Sequence, residues 1–250
     1  MKHVITLILL LGIAGCASGR DQQQFGKSDP AAYHYQMGIS YLGEGNYTSA
    51  LIELTEAEKL DPDNPDLLYN LGMAYMGKRR PDLAELRLQK SLMLKPNNSA
   101  ARNDLGVAYL ELQRWDSAIQ QFKIVKDDIF YENSENATIN LGLAYLGKGD
   151  YPKALVELRA VSAGNRTNPV IHLSLGRVFF AMEKTEQAVA EYKKALAIYN
   201  EYGAAHYYLG LAYLKLNNVA DARTSFKEAA RIMADSDLGR SSLEYLDLLK

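Results

Sequence analysis

Histidine is the residue type in this chain with the most obvious capacity for metal binding or acid–base chemistry. Three of the four histidines, His34, His172 and His206, each lie four residues before a glycine. Metal ligands must converge on one ion, whereas these histidines belong to copies of a repeated pattern that are far apart along the chain. The spacing therefore predicts packing side chains, and we expect no metal site.

Other residues with catalytic potential lack the partners that a reaction would need. Two Gly-x-Gly sequences, at residues 43–45 and 147–149, have no preceding strand of the kind found in phosphate-binding loops, and they are typical of helix ends. Carboxylates such as Glu53 and Glu56 are typical of a solvated helix face. No Ser or Lys stands beside a general base in a known motif. We therefore expect that the protein is not an enzyme and has no cofactor and no small-molecule substrate.

The composition indicates a folded and nearly neutral protein. Of its 250 residues, 48% are hydrophobic and 23% are charged, and the formal net charge is −2. These fractions are typical of globular chains. The charge balance excludes the basic surface that nucleic acid would need, and a single cysteine excludes a disulfide framework.

The amino-terminal segment is organised like a secretion signal. Residues 1–15 hold one lysine near the terminus, an apolar run and small residues that end at Cys16. The apolar run is far shorter than the roughly 20 residues of a membrane-spanning helix. Residues 13–16, Ile-Ala-Gly-Cys, resemble the lipobox of bacterial lipoproteins, which implies cleavage before Cys16 and lipidation of that residue. The alternative is an ordinary signal peptide that contains a cysteine by chance.

The residues after Cys16 bear on where the protein is anchored. Ala17 follows the cysteine, whereas an aspartate at this place commonly signals inner-membrane retention in Gram-negative lipoproteins. The resemblance therefore implies the outer membrane, with the protein facing the periplasm. Residues 16–30 have almost no apolar side chains, which predicts a lipidated flexible tether with a reach of about 20 Å.

A pattern of 34 to 36 residues recurs six times in the rest of the chain. Each copy has a glycine that follows Leu or Met, an aromatic three residues later, an alanine twelve residues after the glycine, and a large apolar residue four further on. The glycines are Gly38, Gly72, Gly106, Gly142, Gly176 and Gly210. Spacings of three and four place side chains on one helix face, so each copy predicts two closely packed antiparallel helices.

This pattern resembles the tetratricopeptide repeat, a helix-turn-helix unit. The resemblance implies an all-α fold, a right-handed superhelical solenoid of six repeats at residues 31–64, 65–98, 99–134, 135–168, 169–202 and 203–236. Residues 237–250 have spaced apolar residues that predict a C-terminal capping helix over the last repeat. Because this architecture is usually a binding surface, it implies no reaction of its own.

The resemblance also implies a concave groove lined by the first helix of each repeat. The candidate protein-binding residues at the corresponding places are Tyr35, Ile39, Tyr69, Met73, Met76, Asn103, Val107, Ile139, Leu143 and Tyr207. Amphipathic rings and flexible thioethers suit adaptable binding surfaces. For the deeper positions Leu42, Leu110 and Leu146, the alternative is burial within the superhelix. The Lys, Arg and Asn pattern with which chaperone-binding members hold a terminal carboxylate is absent, which disfavours an acidic tail as the ligand.

Three features together resemble the type IV pilus pilotin family (PilF, PilW and Tgl). They are the lipobox, six repeats in a chain of 250 residues, and a two-residue expansion within residues 126–133. The resemblance implies that the protein binds the secretin subunit of the pilus machine and promotes its outer-membrane localisation or multimer assembly. The alternative, with the same fold, is a periplasmic adaptor lipoprotein for peptidoglycan hydrolases or synthases.

Overall fold

The computed structural model describes residues 29–165 and 167–250. Every element of regular secondary structure in these residues is an α-helix. The helices are α1 (Pro30–Gly43), α2 (Tyr47–Leu60), α3 (Pro65–Gly77), α4 (Pro81–Leu94), α5 (Ser99–Glu111), α6 (Trp115–Lys126), α7 (Ser134–Lys148), α8 (Tyr151–Gly164), α9 (Pro169–Ala181), α10 (Thr185–Ile198), α11 (Gly203–Lys215), α12 (Val219–Ile232) and α13 (Asp237–Leu248). The predicted all-α solenoid of helix pairs is confirmed. Within this part of the chain, none of the helices is long and apolar enough to cross a membrane.

The start of the first helix corrects one predicted boundary. Pro30, which the sequence analysis places in the tether, is the first residue of α1. Asp29 caps this helix by accepting a hydrogen bond from the backbone N–H of Ala31 at 3.0 Å, and proline suits the first helical position. The predicted signal peptide, the lipidation residue Cys16 and the tether as far as residue 28 lie outside the described residues.

The first helix of each repeat ends in the same backbone turn. In the first repeat, the N–H of Asn46 donates to the carbonyl of Tyr41 and the N–H of Gly45 to that of Leu42, at 2.9 and 3.0 Å, a Schellman motif. The residues with positive φ at this place are Gly45, Arg79, Gln113, Gly149, Glu183 and Asn217. Four of the six repeats therefore place a side chain where glycine is favoured.

The two helices of each repeat approach so closely that only glycine fits at the crossing. A Cβ atom added to Gly106 would lie 2.5 Å from Phe122, and one added to Gly176 would lie 2.3 Å from the ring of Tyr192. The equivalent glycine in each of the other repeats meets the large apolar residue of its own second helix in the same way. The spacing of small and large residues in the sequence thus corresponds to one repeated packing contact.

Contacts between repeats differ for the two sets of helices. Each odd-numbered helix contacts the next odd-numbered helix, whereas the even-numbered helices contact only odd-numbered ones. Adjacent repeats are therefore closer together on the side of the odd-numbered helices. This asymmetry curves the stack, so that the odd-numbered helices form its inner layer.

The buried residues form two hydrophobic clusters. The smaller, N-terminal cluster is built from Ala50, Leu54, Ala57, Leu67, Leu71 and Ala74 of the first two repeats. The larger cluster extends from Ala84 to Phe226 and includes partly buried residues of α13. The capping helix packs through Tyr245, whose ring stacks on Phe226 with the centroids 4.8 Å apart.

The connection between α6 and α7 is the longest link between repeats. It comprises the seven residues 127–133, whereas each of the other links between repeats has four residues. The two extra residues recognised in the sequence fall in this region. Ile129 and Phe130 in this connection are 88% and 89% exposed.

Candidate protein-binding site

The inner faces of α1, α3 and α5 form an open stretch of the groove. Ile39 on α1 and Met73 on α3 occupy the same place in consecutive repeats and remain 36% and 37% exposed. Met76 and Val107 lie partly buried on the same layer of helices. Neighbouring apolar side chains that remain accessible provide a surface that a protein partner can cover.

A cavity of about 290 Å³ opens between these three helices. Its lining residues are Leu42, Tyr47, Met73, Met76, Gly77, Asp104 and Val107. The ring of Tyr47, the first residue of α2, fills the space beside Gly77, where an added Cβ would lie 2.3 Å from the ring. The volume is at the lower end of the range for small-molecule pockets, roughly 300 Å³, and suits a side chain of a protein partner.

Asp104 is the charged residue in the lining of this cavity. Asn103 Nδ2 donates a hydrogen bond to Asp104 Oδ1 at 3.1 Å. Burial raises the pKa of Asp104 above its ordinary value, while polar interaction with Asn103 and Tyr69 opposes that shift. Burial and then the charge of Asp104 also raise the pKa of Tyr69 and of Tyr131. Tyr131, from the α6–α7 connection, therefore lies near the same carboxylate.

Two predicted groove residues, Tyr35 and Tyr69, also join consecutive repeats. Asn70 Nδ2 donates a hydrogen bond to the hydroxyl oxygen of Tyr35 at 3.1 Å. Tyr69 meets Asp104 at the equivalent place one repeat later. Both tyrosines thus have a structural role in addition to the groove position predicted for them.

The predicted groove residues of the last three repeats are buried or partly buried in the protein itself. Ile139 is 2% exposed and lies in the larger core cluster, so its side chain is not accessible in this structure. An aliphatic side chain without a polar tip is more stable when buried there. Leu143 is partly buried against the same core. Tyr207 packs against Phe226 and Tyr245, with ring centroids 6.0 and 6.3 Å away, so it contacts α13.

Aromatic rings in the last three repeats also have cations of this chain beside them. Arg177 lies over the ring of Tyr208 at 5.3 Å, and Lys215 over Phe180 at 5.1 Å. Three further pairs, at 5.5 to 6.0 Å, also belong to repeats four to six. Among the residues that the structure describes, the first three repeats have no such pair.

The three histidines of the repeats have hydrogen-bond partners nearby in the chain. His34 Nδ1 lies 2.7 Å from Glu53 Oε2, and His172 Nδ1 lies 2.7 Å from Glu191 Oε2. His206 Nε2 contacts the backbone oxygen of Asn200 at 2.9 Å. In residues 29–165 and 167–250, no group of three or more potential metal ligands comes together.

Two residues that line the cavity, Tyr47 and Asp104, and Tyr131 near Asp104 are not among the predicted groove residues. Tyr47 begins a second helix, and Tyr131 lies between repeats, so neither occupies one of the first-helix places used to predict the groove. Asp104 lies one residue after the predicted contact Asn103. The sequence does distinguish Asp104, because it is charged where the equivalent place one repeat earlier holds the neutral Asn70.

Comparison with known families identifies the repeats. A TPR repeat model matches residues 38–78 and 176–217. Three models described as tetratricopeptide repeat match residues 72–132, 136–160 and 203–236. DnaJ homolog subfamily C member 3 of Mus musculus is 28% identical over 121 residues, which are 46% of this chain and 24% of that protein. The chain thus spans about a quarter of the length of that relative.

Several solved structures share the arrangement of helices. PilF of Pseudomonas aeruginosa is 19% identical, with a TM-score of 0.64 over 86% of this chain and 97% of that one. PilW, a type IV pilus biogenesis factor, is 18% identical, with a TM-score of 0.72 over 86% and 99%. A tetratricopeptide repeat protein from Parabacteroides merdae is 20% identical, with a TM-score of 0.76 over 88% and 84%. At these identities the likeness concerns the fold, and together with the family models it shows that the chain belongs to the tetratricopeptide-repeat family.

Proposed function

We propose that the protein is an outer-membrane lipoprotein, a pilotin that binds the secretin subunit of a type IV pilus machine and promotes its localisation or assembly. The observation that carries the proposal is the open apolar groove of the first three repeats, where Ile39 and Met73 remain exposed. This groove lies in the part of the chain that follows the lipobox-like sequence at Cys16. The proposed role is non-catalytic.

In this proposal the groove shields an apolar segment of the secretin subunit until the ring forms. A segment that becomes buried in an oligomer exposes apolar surface beforehand, and covering that surface is favourable. Amphipathic helices and extended strands both bind in such grooves. Lipidation of Cys16 would hold the complex at the outer membrane, because several acyl chains together make anchoring stable.

The comparisons are compatible with this role. The fold matches nearly the whole length of the PilF and PilW structures, 97% and 99% respectively. The name of the second of these proteins links it to type IV pilus biogenesis. Transfer of a pilus role to this chain is part of our proposal.

The primary test measures detergent- and heat-resistant secretin multimer in cell envelopes. We expect the multimer to be lost in a strain that lacks this gene, and to be restored but mislocalised in a strain that carries Cys16→Ser. The second strain separates partner binding from anchoring. Unchanged multimer in both strains would overturn the proposal. Co-purification of cell-wall hydrolases in that case would favour the peptidoglycan adaptor.

The groove itself is tested with Ile39→Glu and Met73→Glu. Both side chains are partly exposed, so the variants can keep their fold, whereas a carboxylate buried against an apolar partner without a counter-ion is unfavourable. We expect secretin binding to weaken by about tenfold or more. Val156→Glu, at a 66% exposed position on α8, is the matched control. Equal binding by all variants, with unchanged circular dichroism spectra, would show that the groove is not the binding site.

A further inference from the structure

At two equivalent places a tyrosine of one repeat interacts with the next repeat, once with an amide and once with a carboxylate. Asn70 donates a hydrogen bond to the hydroxyl of Tyr35 at 3.1 Å, and Tyr69 interacts with Asp104 at the equivalent place. Both members of the second pair lie 34 residues after their counterparts in the first. Because Asn70 completes its bridge without a charge, the negative charge of Asp104 is not required to join the repeats.

Asp104 has no counter-ion of its own. Some other aspartates have one: Lys95 lies 3.0 Å from Asp66 and Arg80 lies 2.7 Å from Asp82. In the part of the chain that the structure describes, no Lys or Arg forms an ion pair with Asp104. A partly buried carboxylate without a cation is unfavourable, so its presence needs an explanation other than stability.

The surroundings of Asp104 supply further features that a cation would use. Asn103 Nδ2 donates to the carboxylate, whereas Asn103 Oδ1 is buried without a hydrogen-bond partner among the described residues. An acceptor without a partner among the described residues thus lies on the neighbour of the carboxylate that lines the apolar cavity.

We propose that this cavity binds one basic side chain carried on an apolar segment of a partner protein. The cation would lie against the Asp104 carboxylate, and the flanking apolar side chains would contact Met73, Met76 and Val107. Charge complementarity selects this occupant, because the cavity has one unpaired carboxylate and otherwise mainly apolar walls. A hydrogen bond between ionised groups is stronger than one between neutral groups. The inference deepens the proposed function by naming the chemistry of the segment that the groove binds.

The test uses two short peptides, acetylated and amidated at their ends, that differ at one central residue flanked by leucine and valine. One peptide has arginine there and the other has citrulline, which keeps the shape and removes the charge. Binding to the full folded chain is measured by isothermal titration calorimetry. We expect the arginine peptide to bind the unmodified protein about tenfold more tightly than the citrulline peptide.

Asp104→Asn is the informative variant because Asn70 shows that an amide completes the bridge to tyrosine. We expect this variant to retain its fold and to bind both peptides equally. Asp116→Asn, at a side chain that is 79% exposed on α6, makes the same change in net charge outside the cavity and should preserve the discrimination.

Three results would overturn the inference: equal affinity of the two peptides for the unmodified protein, discrimination that persists in Asp104→Asn, or binding of neither peptide. The peptide measurement does not involve secretin. Its outcome is therefore independent of the envelope experiment, and either proposal can fail alone.

Discussion

The first three repeats and the last three are built on one pattern, yet their inner faces differ. One residue after the repeat glycine, Ile39 and Met73 in the first two repeats are 36% and 37% exposed, whereas Leu143 and Leu211 in the fourth and sixth are partly buried. Three residues before the glycine, Tyr35 and Tyr69 are half-buried, whereas Ile139 and Leu173 in the fourth and fifth repeats are 2% and 7% exposed. In the sixth repeat, Tyr207 packs against the capping helix. The same helical framework thus supports an accessible surface at one end and a closed core at the other.

The difference shows that the groove is a property of particular side chains rather than of the repeat itself. On the inner face of the last three repeats, aliphatic residues are buried, cations of this chain lie over aromatic rings, and α13 packs against the last repeat. The first three leave apolar side chains accessible, and the one carboxylate that lines their cavity, Asp104, has no ion pair among the described residues. A binding surface therefore exists where the chain has not completed its own packing.

The largest expected loss of stability follows from a substitution in the last three repeats. Phe226 is fully buried between Tyr207 and Tyr245, and Phe226→Ala should lower the free energy of unfolding by about 3–5 kcal/mol. Leu54→Ala, in the smaller N-terminal cluster, should lower it by about 2–5 kcal/mol. Denaturant titration measures both values.

Hydrogen exchange of the same variants tests whether the two ends are separate units. Because each repeat contacts only its neighbours, we expect Leu54→Ala to accelerate exchange mainly in α1–α4, and Phe226→Ala mainly in α11–α13. A uniform acceleration over all helices in both variants would contradict the division into two regions.

The contact between the two helices of a repeat should tolerate alanine in place of its glycine less well in the last three repeats than in the first three. A Cβ on Gly176 meets the aromatic ring of Tyr192 at 2.3 Å, whereas one on Gly72 meets the flexible side chain of Leu88 at 2.6 Å. Overpacking costs about 1–3 kcal/mol, and we expect Gly176→Ala to lie at the upper end and Gly72→Ala at the lower. Thermal unfolding provides the measurement.

Gly43→Ala is the control for this pair, because an added Cβ there meets nothing within 4 Å. It should leave stability unchanged or raise it, since alanine favours the helix by up to about 1 kcal/mol. Equal losses at Gly72 and Gly176 would mean that the rigid ring gives way as readily as the leucine.

The sequence was sufficient for the repeated framework because each repeat uses a local rule. Gly106 and Phe122 carry helical spacing and opposite sizes, and the structure places them in contact. The burial of Ile139 depends instead on neighbouring repeats, and repeat position alone does not distinguish it from Tyr69, which occupies the equivalent place and is half-buried. The Asp104 site likewise depends on three elements that are separate in the sequence, which carry Tyr69, Asp104 and Tyr131.

A smaller effect is the pH dependence of stability that Asp104 causes in the third repeat. Burial raises the pKa of Asp104 in the folded protein, so ionisation there is less favourable than in the unfolded chain. Stability is therefore lost as the pH rises from the ordinary aspartate range, about 3.9, through the higher folded pKa. Asp104→Asn should remove this loss and melt at a higher temperature than the unmodified protein at neutral pH.

At acidic pH the melting temperatures of the two proteins should converge, because Asp104 is then neutral in both folded and unfolded states. The charged or titratable groups known to face it are Tyr69 and Tyr131, and neither changes charge in this range. A variant that is less stable at neutral pH would indicate that the carboxylate, and not merely a hydrogen-bonding group, holds these repeats together.

The smallest expected effect is a difference in stability between substitutions at the equivalent turn positions of repeats three and four. These two repeats lie on either side of the boundary between the two regions. Gln113 has a positive φ of 57°, and Gly149 occupies the equivalent place with a φ of 83°. A left-handed conformation costs a residue with a Cβ about 1–2 kcal/mol, partly offset by the greater chain entropy that glycine loses. We expect Gln113→Gly to raise the free energy of unfolding by about 0.5–1 kcal/mol and Gly149→Ala to lower it by about 1 kcal/mol. Denaturant midpoints resolve both changes. If Gln113→Gly were destabilising, the side chain of Gln113 would have to make contacts that outweigh the backbone strain, and the turns of the two regions would not be equivalent.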